Sequence, residues 1–134
     1  MEILVIVLAA AASLFTAFAF YKAGKFKAFS TKETLLGAGF GWVEKTPFWT
    51  VRLIAWLELV GAAGLVLAPI GYFLGYEWSI WFAVAAALGL ALTMVGAIIL
   101  HAKRGEAKYT LKMNLQLLIV ALVAAGLWAY LPMV

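Results

Sequence analysis

The sequence predicts an all-α polytopic membrane protein, a bundle of four transmembrane helices with a short interfacial helix between the first and the second. Three observations carry this prediction. Of 134 residues, 67% are hydrophobic and only 12% charged, with a mean hydropathy of +1.07, a balance outside that of ordinary soluble domains. The apolar residues gather in four tracts, each near the ~20 residues that cross a hydrocarbon core. The cations gather at alternate connections between those tracts.

The tracts are Ile3–Tyr21, Pro47–Ile70, Trp78–His101 and Leu111–Met133, so residues 1–134 read as one four-helix domain. The first contains Ala17-Phe18-Ala19, which has the look of a signal cleavage site. Its leading region carries Glu2 and no lysine or arginine, so it is expected to stay as a helix. Between the first two tracts, Ser30-Thr31-Lys32-Glu33 has capping-box spacing, in which a hydroxyl and a glutamate satisfy the free donors of a helix start. A short interfacial helix is expected over Thr31–Glu44, where leucines and aromatics alternate with charges and glycines. Thr46 is the expected cap of the second spanning helix, with Pro47 at its first position.

Orientation follows from the cations. Lys22, Lys25, Lys27, Lys32 and Lys45 lie in or beside the first connection, and Lys103, Arg104, Lys108 and Lys112 at the third. The positive-inside bias predicts a multi-pass protein of the cell membrane with these basic loops cytoplasmic and both termini outside. The net charge of +4 is thus a topology signal, and no nucleic-acid partner is expected; the partner is the lipid bilayer. Trp42, Trp49, Trp78, Trp81 and Trp128 fall near predicted helix ends, as an interfacial belt would place them. Gly61-Ala62-Ala63-Gly64 and the alanines and glycines of the third tract read as close-packing seams.

Composition also limits the chemistry. Without cysteine the chain offers no disulfide, thiol redox pair or thiolate metal site. One histidine, His101, supplies neither a two-histidine haem nor a multi-histidine zinc site short of an oligomer, and no metal is expected.

The anomaly is charge inside the second tract. At ~1.5 Å per residue from Pro47, Arg52 lies ~7–8 Å into the span and Glu58 ~16 Å, near the midplane. A charge at that depth costs at least ~2.5–3.5 kcal/mol, so it should face a partner or a ligand path. The two are six residues apart, hence ~120° apart around the helix, so each needs its own partner. One reading is a polar pocket opening toward the cytoplasmic side, walled by Arg52, Glu58, His101, Asn114 and Gln116, with Trp56 in its apolar lining. The other is structural: Glu58 as interhelical glue, Arg52 snorkelling to the interface, His101 as a helix cap.

Residues 51–69, VRLIAWLELVGAAGLVLAP, and 94–106, MVGAIILHAKRGE, carry a pattern of arginine, glutamate, glycines and a Gly-Ala before histidine. In these, through Arg52, Glu58, Gly61, Gly64, Leu65, Gly96, Ala97 and His101, the chain resembles the DoxX-like family of small four-helix membrane proteins. Taken with the buried Glu58, Arg52 and His101, the resemblance leads to the expectation of a non-catalytic subunit, not an enzyme on its own, that binds a quinone- or lipid-like molecule. Its partners would be a membrane redox protein or further copies of itself. One branch resembles the small subunit of a thiosulfate:quinone oxidoreductase, but nothing in these residues selects that chemistry. The alternatives are a small proton-coupled transporter using Glu58 and a purely structural assembly subunit.

Overall fold

A computed structural model gives the fold. It describes residues 1–105 and 107–134, the side chains of 107–110 excepted. The described elements are helices α1 (Glu2–Phe29), α2 (Lys32–Gly37), α3 (Phe48–Phe73), α4 (Trp78–Lys103) and α5 (Ala107–Tyr130), with short 3-10 turns at Gly41–Lys45 and Leu131–Met133. Among the described residues, four helices are long and apolar enough to cross a membrane, as the hydropathy predicts.

The first helix runs eight residues beyond its predicted end, to Phe29. Hydropathy falls at Lys22, but nothing there stops a helix: lysine and phenylalanine continue it, and a single glycine only weakens it. Lys22, Lys25 and Lys27 therefore sit on the last two turns of α1 and not in a loop. Lys108, of the other basic connection, lies outside the described side chains.

The expected capping box is displaced by one residue. Thr31 is the N-cap of α2, accepting from the Thr34 N–H at 3.1 Å, while Ser30 ends α1. Nor does one helix cover Thr31–Glu44. It breaks after Gly37, because Gly39 takes φ +95°, and resumes as the 3-10 turn. Thr46 is spent on that turn, donating to the Trp42 carbonyl at 2.7 Å, so Pro47 caps α3 and the helix begins at Phe48.

The four long helices form a ring in which α1 packs on α3 and α5, and α4 on α3 and α5. Phe20, Leu65, Leu90 and Trp128 fill its centre. A second cluster of Leu35, Trp42, Val43 and Val51 plugs the end where the 30–47 connection crosses. Two tryptophans expected in the belt are therefore core residues. Trp42 lies in the plug, and Trp128 is buried with its indole N–H donated to the Ser13 hydroxyl. Trp49, Trp78 and Trp81 remain more than half exposed, where lipid would surround them.

Candidate functional site

Side chains on a helix lean toward its own N-terminus. Because α1 and α3 run in opposite directions, Lys27 near the end of α1 leans into the bundle, and Glu58 on α3 leans back toward it. Lys27 Nζ donates to Glu58 Oε1, and both residues are buried. Gly24, one turn earlier on α1, permits the approach. A Cβ there would stand 2.9 Å from the Ala55 carbonyl oxygen and 3.2 Å from Glu58 Cβ.

Arg52 occupies the level above this pair and holds the end of α1. Its guanidinium donates to the carbonyls of Lys27 at 3.2 Å, of Ser30 at 2.8 Å and of Ala28, and it lies over the Phe48 ring at 4.5 Å. These are the last carbonyls of a helix, which have no partner within the helix itself. Arg52 thus fixes the backbone that carries Lys27, and it does so half-buried rather than by snorkelling away.

Below the plug, residues of all four long helices line a partly open cavity of about 390 Å³. Lys27, Glu58, His101 and Asn114 are its main polar residues; Phe26, Leu57, Leu100, Met113 and Trp42 supply much of the apolar wall. Gly96 also lines it, and a Cβ built there meets nothing within 4 Å. Two buried polar atoms of the wall residues, Glu58 Oε2 and Asn114 Nδ2, have no hydrogen-bond partner among the described residues.

The structure thus brings together three of the six residues expected to wall a pocket, Glu58, His101 and Asn114. Arg52 stands behind the wall as a clamp on α1. Trp56 points outward at 49% exposure and packs edge-on against Phe29, and Gln116 is exposed. Trp56 is two residues from Glu58 and Gln116 two from Asn114, so each points ~200° around its helix from that buried residue.

Hydropathy alone places Lys27 among loop cations and so hides it as a wall residue. Its signal is the register Ser13, Thr16, Ala17, Phe20, Gly24, Lys27, Ala28, a continuous inward stripe of three- and four-residue steps.

The DoxX-like family matches residues 11–126. The chain belongs to the DoxX-like family. Every residue lining the cavity of this DoxX-like protein, from Ala23 to Leu117, lies within the matched span. No curated protein and no solved structure matches the chain.

Proposed function

We propose that this DoxX-like protein is a non-catalytic membrane subunit that takes a lipid- or quinone-like molecule into the cavity and supports a membrane redox assembly. The observation that carries the binding reading is the pair of partnerless atoms, Glu58 Oε2 and Asn114 Nδ2, on an otherwise largely apolar wall. A buried polar atom left without a partner costs ~1–3 kcal/mol, which a bound molecule would recover. The volume of about 390 Å³ falls within the ~300–1,000 Å³ usual for small-molecule sites. The ion pair supports the same reading, because a buried pair adds little stability over apolar residues of similar volume and is better accounted for by a role. The redox association rests on kinship with the family.

A proton-coupled carrier finds less support. Carriers commonly place their sites at interrupted helices, whereas the helices bearing Glu58 and His101 are continuous over Phe48–Phe73 and Trp78–Lys103. For orientation, the end bearing Lys27, α2 and Lys103 is read as cytoplasmic.

The test is to purify the protein gently and identify co-isolated lipids and quinones by mass spectrometry. A Gly96→Phe variant, which sets a ring at the exposed edge of the cavity, is expected to lose the species enriched by wild type. Equal recovery from the two proteins would defeat the reading.

A further inference from the structure

We infer that the cavity selects a neutral lipophile by a hydroxyl group, which donates to Glu58 Oε2 and accepts from Asn114 Nδ2. This rests on the proposed binding role and states the chemistry of the molecule bound.

The argument is one of hydrogen-bond supply. With Lys27 Nζ donating to Oε1, the Glu58 carboxylate keeps one oxygen that only accepts, while the Asn114 amide nitrogen only donates. Both residues are more than nine-tenths buried, Glu58 completely so. A single group reaching both atoms would have to supply a donor and an acceptor together. A hydroxyl is the smallest group that does both, and one hydroxyl or two on a ring would serve.

Several common chemistries fail on one side. A ketone, ester or ether accepts but leaves Glu58 Oε2 unpaired. An ammonium donates but leaves Asn114 unpaired, and it adds a net charge where Lys27 and Glu58 otherwise cancel. An anion adds the opposite net charge beside a carboxylate oxygen. Among quinone-type molecules the rule favours the reduced quinol, which carries hydroxyls, over the quinone, which carries only carbonyls.

A matched pair of probes isolates the donor without any redox step. Para-octylphenol and its methyl ether, para-octylanisole, share ring, chain and oxygen, but only the phenol donates. Equilibrium dialysis against the protein in phosphatidylcholine nanodiscs, with empty nanodiscs subtracted, measures each affinity. Hydrogen bonds to charged groups are worth about ten-fold or more in affinity, so wild type is expected to bind the phenol at least about ten-fold tighter.

In a Lys27→Leu, Glu58→Leu double variant, which leaves no lone charge, that preference should vanish. Asn114→Leu should weaken both probes alike and keep the preference, because both oxygens accept. Gly96→Phe should abolish binding of both.

Equal affinities in wild type, or a preference that survives the double variant, would overturn the hydroxyl rule while leaving cavity binding intact. Binding of neither probe above the empty nanodiscs would overturn both. Should the double variant not fold, the wild-type comparison and Asn114→Leu decide the matter between them.

Discussion

Lys27 and Glu58 are each tolerable in the bundle only because of the other. Removing one partner of a buried pair strands a charge and costs ~3–5 kcal/mol, whereas replacing both by apolar groups is often neutral. Lys27→Met is accordingly expected to destabilise the protein by that amount, and Lys27→Met with Glu58→Met to recover most of it. Unfolding titrations in mixed micelles would read the coupling, and simple additivity of the two single losses would sink the claim. The sequence exposed only half of this pair. Glu58 stands out because a carboxylate interrupts an apolar tract, but Lys27 follows the last apolar run, where hydropathy cannot distinguish a helix extension from a loop. The facing of side chains was recoverable for a different reason: the ~100° step per residue already separates Trp56 from Glu58 and Gln116 from Asn114. Proximity along the chain was the wrong criterion there.

At the scale of elements, two glycines, one on α1 and one on α4, should respond oppositely to the same substitution. Gly24→Ala pushes a methyl against the Ala55 carbonyl oxygen and Glu58 Cβ, forcing α1 from α3, and is expected to cost ~1–3 kcal/mol as overpacking does. Gly96→Ala adds its methyl to open space and gains helix propensity, so stability should hold or rise by up to ~1 kcal/mol. Thermal unfolding followed by circular dichroism compares them, and a loss at Gly96 equal to that at Gly24 would contradict the assigned contacts. Neither role could be read from sequence, where both are simply glycines in apolar helices. Helix existence was legible throughout, since four tracts of membrane length admit little else. Boundaries were less so, because Ser30 and Thr46 each have a hydroxyl able to cap, and tertiary contacts decide which carbonyl or N–H it meets. Arg52 illustrates the point: its depth was predictable, but its partners, the carbonyls ending α1, depend on where α1 ends.

For the whole molecule, the even number of spans places both termini on one side and the α2 connection on the other. The cysteine-free sequence makes the orientation directly measurable. Single Glu33→Cys and Tyr76→Cys variants, both at exposed positions, can be treated in intact cells with an impermeant maleimide. Tyr76→Cys should label at once and Glu33→Cys only after permeabilisation; the reverse order would invert the proposed topology. The bundle and the family pattern were legible at this scale because both are written in residue types at fixed spacings. The cavity was legible only as a polar pocket around Glu58, His101 and Asn114; its shape depends on the ring order of helices and on the plug of Leu35, Trp42 and Val43 that closes one end. The salt link between α1 and α3 also has an electrical meaning. A full charge carried through a potential of 100 mV exchanges ~2.3 kcal/mol with the field, but an ammonium and a carboxylate held together contribute opposite signs at nearly one depth. A neutral guest entering beside them moves no net charge, so the membrane voltage does no work on its arrival or departure.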